Sequence, residues 1–472
     1  MKLISKVHDK YYDFTDFKHP GGAIALSLTY GRDATELFES MHQFSDKTKM
    51  AAILRKYEVD SKEIEKENMI ESNGIYNWNE TNTCAFTKEL HEIADMLLIP
   101  GHTRSEAIEL GLIKINLIKI LEVAFFFLLT VSQYYYFFSG RYFSVVTFPT
   151  ALWMFTVNVF HDGSHFALSK YPVVNHLFTE TALLFSTPYT WYHQHIIGHH
   201  CFPNVIGKDP DLYHSTKFTR HSKDIRVRKS HSSQPYTFPL LWIVGVPLGL
   251  VLRGCLESLA GKPYNKVVKL IPDEAAHVIS RRSIIPRLAA IVALMFVAPF
   301  CYHGLTLKGL IFATLPYLVY SLHFMTCSQI NHFTPECDDQ ISNNFYIQQI
   351  ITGHNVAPES YLLYLYTGGL NLQIEHHLFP SVNHGHLPRL APYVKALCAK
   401  HNIHYNVSPG MISAVTKYVM HLSKFSKAAD HESESNCAYN ESKKAKKTEE
   451  VWNFLMRNVN TKWPVSETSS TI

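Results

Sequence analysis

Polar and apolar positions divide this chain into unlike stretches. Residues 1–60 are polar, turn-rich and of mixed charge, the pattern of a small soluble domain. Residues 61–110 ("SKEIEKENMIESNG…") predict charged helices with a linker near Asn73-Gly74. Apolar segments then come in two pairs. The first is 120–139 followed by 142–160, separated by Gly140-Arg141; the second is 288–302 followed by 309–329, separated by a short loop holding Lys308. All but 288–302 approach the roughly 20 residues a spanning helix needs, and the short one can borrow Ile284-Ile285-Pro286. The stretch 238–252 is apolar but short, with Pro239, Pro247 and two glycines, and is expected to lie in the interface or against the membrane body rather than to span. From about 423 onward the chain is hydrophilic, includes the basic run 443–447, and is expected to be poorly ordered. The predicted divisions are thus 1–60, 61–110, a membrane body at 111–422 and a tail at 423–472.

Two tight hairpins return the chain to the side on which it started. Their tips carry Arg141 and Lys308, while 217–229 carries Lys217, Arg220, Lys223, Arg226, Arg228 and Lys229 against Asp224. By the positive-inside rule the tips are lumenal and everything else, both termini included, is cytosolic. The opening "MKLISKVHDKYYDF" has no apolar core resembling a signal peptide, which agrees with a cytosolic start. Composition refines the picture. A net charge of +4 makes no case for nucleic acid, and 18% charged with 13% aromatic residues points to a membrane. The mean hydropathy of −0.06 then requires the apolar residues to be clustered, as they are. Eight scattered cysteines without a CxxC predict reduced thiols rather than a disulfide framework.

The 28 histidines are the anomaly. "HDGSH" at 161–165 follows the second apolar segment, "HQHIIGHH" at 193–200 comes next, "QINHF" places His332 past the fourth segment, and "QIEHH" ends at 377. All lie on the predicted cytosolic side. On an α-helix His161 shares a face with His165, His195 with His199, and Gln373 with both His376 and His377; His200 is adjacent to His199. Together His161, His165, His195, His199, His200, His332, His376 and His377 make eight imidazoles. Zinc takes about four ligands and a six-coordinate iron about six, so this set implies two metal ions, of a kind that imidazole alone leaves open. The isolated His214, His323, His384 and His386 are read as ordinary hydrogen-bonded polar groups, and His193 as a support behind the ligands.

These boxes resemble those of the membrane fatty acid desaturases, and the match runs from about residue 100 to 420. The third box reads Q-x-x-H-H, and "TGGLNLQIEHHLFP" is similar to the front-end subgroup. So is "HHCFPNVIGKDPDL" after the second box. "HPGG" at 19–22 followed by "GRDATELFESMH" at 31–42 resembles the haem-binding core of cytochrome b5, joined from its second strand onward without the usual opening strand and helix. The resemblance implies a multi-pass α-helical membrane protein: four transmembrane helices in two hairpins, a cytosolic histidine-rich di-iron cap, and a small α+β cytochrome b5-like domain at the N-terminus. It implies haem b held by His19 and His42, with Gly21 and Gly22 allowing the tight turn beside the first. It also implies two non-haem irons on the eight imidazoles. Gln373 would be a weak or water-mediated ligand, with Asn204, Asp209, Asp211 and Asn371 among the supports. The implied reaction uses O2 and electrons delivered through cytochrome b5 from NADH-cytochrome b5 reductase. It inserts a cis double bond between an existing one and the carboxyl end of a fatty acyl-CoA or phospholipid acyl chain, at the Δ5 or Δ6 position, in the endoplasmic reticulum membrane. The basic segment 217–229 would suit a phosphate head group or be a simple cytosolic flank. A Δ8 sphingolipid long-chain-base desaturase, a di-iron lipid hydroxylase and a membrane-tethered haem electron donor are the rivals.

Overall fold

The computed structural model describes residues 2–64, 74–181, 186–272, 279–337 and 341–426. The expected disordered tail, with its basic run at 443–447, lies outside the described residues apart from 423–426. The helix Leu117–Phe138 starts where the Asn116 side chain accepts from the Lys119 N–H, and it ends before Gly140, whose φ of 73° reverses the chain. The return helix covers 144–164, with one wide π-turn at Val157–His161. The second hairpin joins Arg281–His303 to Leu307–Gln329 through Gly304, at φ 74°, and a Thr306 cap on the Gly309 N–H. Gly140 lies against Lys308 and His303, so the two hairpin tips meet at one end of the bundle. His161 and His332 end their respective hairpins at the other. Between them Trp153, Phe160, Tyr317 and Phe324 form the bundle core, while Leu121, Leu128, Val292 and Leu310 face outward, as a lipid environment requires.

By length and apolar composition four helices can cross a membrane: Leu117–Phe138, Lys229–Leu259, Arg281–His303 and Leu307–Gln329. The sequence expectation for 238–252, a short and broken segment, is corrected in part. It belongs to a continuous 31-residue helix. Pro235 occupies its first α-turn, where no N–H is needed, and π-turns over Gly245–Arg253 absorb Pro247. The contacts nevertheless keep both of its ends on the histidine side. Gln234 donates to the Leu422 carbonyl at 2.7 Å, and Gly254 packs on Tyr264, whose hydroxyl reaches Gln194 at 3.1 Å. Its middle is pinned to the bundle where Ser321 donates to Trp242 O at 2.7 Å and accepts from Val246 N at 3.0 Å. Tyr236, Leu240, Leu248, Leu252 and Leu256 form an exposed apolar stripe along it. The helix therefore lies across the histidine-side edge of the bundle, and 144–164 is the partner that completes the first hairpin.

The N-terminal unit is a three-stranded antiparallel sheet, Ile4–Val7, Lys10–Asp13 and Glu58–Val59, covered by the helices Gly22–Ser27, Thr35–Met41 and Lys47–Tyr57. Val7, Tyr12, Phe14 and Leu26 fill its own core. Its other face is not free. Ile24, Leu28 and Leu37 share one apolar cluster with Tyr189, Tyr192 and Ile196 of the second histidine box. Gln43 donates to the Leu378 carbonyl at 2.7 Å, and Arg32 to the Lys269 carbonyl at 3.1 Å. At this seam Gly22 adopts φ 90°, and a Cβ there would sit 2.7 Å from Pro172 Cβ. Gly22→Ala should cost about 1–2 kcal/mol from backbone conformation alone, and the clash adds to it. Gly101→Ala, at φ 73° with nothing within 4 Å, isolates the backbone part. Denaturant melts of the two variants should show Gly22→Ala the less stable; equal midpoints would mean the seam yields freely.

Candidate metal centre

The second box decides the geometry. Residues Tyr192–His199 form a π-helix, and the His200 N–H reaches back five residues to the His195 carbonyl at 2.9 Å. His195 and His200 therefore share a face, where α-periodicity pairs His195 with His199. His199 is turned elsewhere. The first box keeps the α-type bond from His165 N to His161 O at 3.2 Å, so His161 and His165 stay together as expected. The third box rides on the short buried helix Gln373–Leu378. Glu375 anchors that helix through Asn355 at 2.7 Å and Tyr405 at 2.9 Å, and burial pushes its carboxyl up to about 7.

The result is two groups. His161, His165, His195, His200 and His376 bring one nitrogen each to within 4.8 Å of one another, and His199, His332 and His377 do the same a short distance away. In the first, Nε2 atoms run from His161 to His195 at 2.9 Å, to His200 at 3.2 Å and to His376 at 3.0 Å. In the second, His199 Nε2 lies 3.1 Å from His332 Nε2. The adjacent pairs His199-His200 and His376-His377 are each split between the groups, with ring planes at 79° and 86°.

Backbone and amide partners fix the tautomers. His332 and His377 donate from Nδ1, to the Thr352 carbonyl at 2.9 Å and to Gln349 Oε1 at 2.8 Å. His384 donates from Nδ1 to the Gly368 carbonyl at 2.8 Å, so its Nε2 accepts from His376 Nδ1 at 3.0 Å. For His332, His377 and His376 the lone pair of Nε2 therefore points into a cluster. Burial, with neighbouring imidazoles, pushes His165, His195, His200, His376 and His377 well below the usual histidine range, which keeps them neutral. His199 differs. Burial opposes its charge, but Asp209 at 3.1 Å and Asp211 at 3.7 Å prevail and hold it up to about 9. His165 Nδ1 and Nε2, His161 Nδ1, His200 Nδ1 and His377 Nε2 are buried with no hydrogen-bond partner among the described residues. Lone pairs of neutral imidazoles converging this closely fit transition-metal ions and little else.

The remaining predicted residues fall around the groups. Asn204, at φ 56°, donates its N–H to Asp209 at 2.8 Å and its amide to the His332 carbonyl at 3.0 Å. Asp211 accepts from Gln194 at 3.0 Å. His193 has both nitrogens occupied by backbone, Tyr189 O at 2.7 Å and Ile271 N at 2.8 Å. Asn371 bonds Thr367 at 3.2 Å and the Val356 carbonyl at 3.3 Å. Gln373 comes to His332, with Nε2 at 2.9 Å from its Nε2. Because Asn331 also donates to the Leu370 carbonyl, its amide nitrogen faces Gln373, and the Gln373 oxygen is the atom held there, at 3.0 Å.

His384, assigned no site role from sequence, contacts His376 and lies 3.3 Å from Asp162, which Asn383 holds at 2.6 Å. The available signal was a second histidine-bearing turn, "NHGH", close behind the third box. A narrow apolar cavity of about 90 Å³ reaches both groups at His195 and His199, between Trp153, Phe160, Trp191 and Phe324. In the N-terminal unit His19 and His42 face one another with ring centroids 5.7 Å apart. His42 donates from Nδ1 to the Phe38 carbonyl at 2.7 Å, and His19 Nδ1 accepts from Gly21 N at 3.0 Å. Burial lowers His19 to about 4, so it too is neutral near pH 7.

Comparison with known proteins agrees with this arrangement. Residues 140–409 match the fatty acid desaturase family, and residues 4–62 match the cytochrome b5-like heme/steroid binding domain. The chain is 27% identical over 450 residues to Delta(5) fatty acid desaturase A of Dictyostelium discoideum, covering 90% of this chain and 91% of that one. It is 27% identical to the acyl-lipid omega-13 desaturase of Chlamydomonas reinhardtii (84% and 88% covered) and 25% identical to the acyl-lipid (8-3)-desaturase of Mortierella alpina (89% and 93%). With eight clustered imidazoles at the inner end of two apolar hairpins, and a cytochrome b5-like unit docked above them, the chain belongs to the fatty acid desaturase family.

Proposed function

We propose that this protein is a front-end acyl desaturase that places a cis double bond between an existing one and the carboxyl end of a polyunsaturated acyl chain, with Δ5 favoured and Δ6 the neighbouring possibility. The observation that carries the reading is the pair of buried imidazole groups at the end of a narrow apolar cavity. In this reading one iron is held by His161, His165, His195, His200 and His376, and the other by His199, His332 and His377. When bound, the irons supply the oxidising power that removal of unactivated hydrogen needs. Haem b, between His19 and His42, would supply electrons one at a time. The chain's own residues do the rest. Trp153, Phe160, Trp191 and Phe324 exclude water and fix which carbons of a straight chain face the metals. His384 takes the Nδ1 proton of His376 into a hydrogen bond, so the opposite nitrogen stays free to ligate, and Asp209 orients His199 through Nδ1 with its Nε2, which must lose a proton to ligate, turned to the second group. Gln373 presents an amide N–H to the second group, and a donor there would reach a metal only through a water.

The Δ5 preference is supported by the name of the Dictyostelium discoideum relative. We place the enzyme in the endoplasmic reticulum membrane with the histidine side cytosolic, supplied by NADH-cytochrome b5 reductase and acting on acyl-CoA or phospholipid acyl chains. Feeding 18- and 20-carbon polyunsaturated acids to an expressing host should yield a new Δ5 (or Δ6) bond. A hydroxylated product, or a Δ8 bond in sphingoid bases, would reject the assignment.

His377→Ala should abolish turnover and lower non-haem iron while the haem spectrum persists, since the haem pair lies in another unit. Retention of full iron and activity would overturn the ligand set. Gln373→Ala should cut activity sharply yet keep much of the iron, because its oxygen is already engaged by Asn331. Iron loss as complete as in His377→Ala would instead make it an indispensable ligand.

A further inference from the structure

A second cavity, of about 360 Å³, opens between the N-terminal unit and the catalytic body. Its inner wall is the haem crevice, with His19, His42 and Phe38; its outer wall comes from the body, with Lys114, Phe166 and Lys170. His165 of the five-histidine group also borders it, so one side chain is shared by the crevice and the metal cluster. A haem is an apolar disc with two carboxylates on one edge. The disc suits the crevice, but carboxylates turned toward the body need cations or water.

The body provides two ammonium groups at that edge. Lys114, half-buried, donates to the Phe166 carbonyl at 2.9 Å and the Ser381 carbonyl at 3.1 Å. Lys170, exposed, donates to the Glu109 carbonyl at 2.9 Å. Neither has a carboxylate within salt-bridge distance among the described residues. An ammonium holds three N–H donors, so each keeps capacity for an anion. The seam itself is packed rather than loose: Gly22 abuts Pro172, and Ile24 and Leu28 lie in the core of the body.

We infer that the haem site is built by two domains, with Lys114 and Lys170 of the catalytic body pairing with the two carboxylates on the haem edge and so holding that edge toward His165. The inference rests on the haem reading above. Cations at the edge favour the reduced, less positively charged haem, so removing them moves its midpoint potential negative.

The test is spectroelectrochemical titration of the full-length protein as Lys170→Glu and Lys114→Gln, with haem loss to excess apomyoglobin measured in parallel. Lys88→Glu, an exposed lysine on the helix Ala85–Leu98 away from the cavity, serves as the charge control. The expected result is a negative shift and several-fold faster haem loss in both cavity variants, with neither change in Lys88→Glu. Lys170 is exposed, so its variant carries the test if Lys114→Gln folds poorly. Parent-like values in Lys170→Glu, or an equal shift in Lys88→Glu, overturn the two-domain site. A full-length protein that takes up no haem overturns the haem reading itself.

Discussion

Neutral imidazoles with converging lone pairs repel one another, and a protein interior offers no water to relieve them. Eight imidazoles meet here in two groups, all but the acid-paired His199 held neutral by burial, and most of the surrounding architecture serves to impose that arrangement. Two hairpins bring His161 and His332 to the same end of the bundle. A π-helix rotates the second box so that neighbours in sequence serve different groups. The Thr352 carbonyl and the Gln349 amide each take up one ring proton and leave the other nitrogen bare, His384, set by the Gly368 carbonyl, does the same for His376, and Asp209 fixes the ring of His199 through Nδ1. Without such partners each ring could turn or change tautomer, and the lone pairs would not stay aligned.

Much of this was legible in the sequence because it depends on residue type and coarse spacing. The two hairpins follow from apolar length, from Gly140-Arg141 and from the short loop holding Lys308. The box histidines follow from their density at predicted helix ends. The rest depends on backbone detail that spacing does not carry. Pairing His195 with His200 needs a five-residue bond, and nothing in "HQHIIGHH" announces a π-turn. His384 acts on His376 only because the chain folds back after Pro380. The helix Lys229–Leu259 was hard to read because its prolines look like breaks, yet Pro235 falls in a first turn, Pro247 lies in a π-turn, and Pro239 sits inside the α-helical part without ending it. The seven described cysteines are all free.

The N-terminal unit is more closely bound than a tethered carrier need be. Its helices contribute to the same apolar cluster as the second box, and Gln43 reaches the backbone of the third. Mutual burial of this kind opposes the free relative motion usual between domains. It also ties the stability of the two units together: loosening the helix Gly22–Ser27 removes packing from beneath Tyr189 and Tyr192.

The long helix Lys229–Leu259 gives the molecule unequal cross-sections in the two leaflets. Among the described residues, the two helical pairs alone reach the hairpin tips. At the inner edge a further helix lies alongside them, with Tyr236, Leu240, Leu248, Leu252 and Leu256 directed at the acyl chains. Such a body is a wedge, displacing more lipid from one monolayer than from the other.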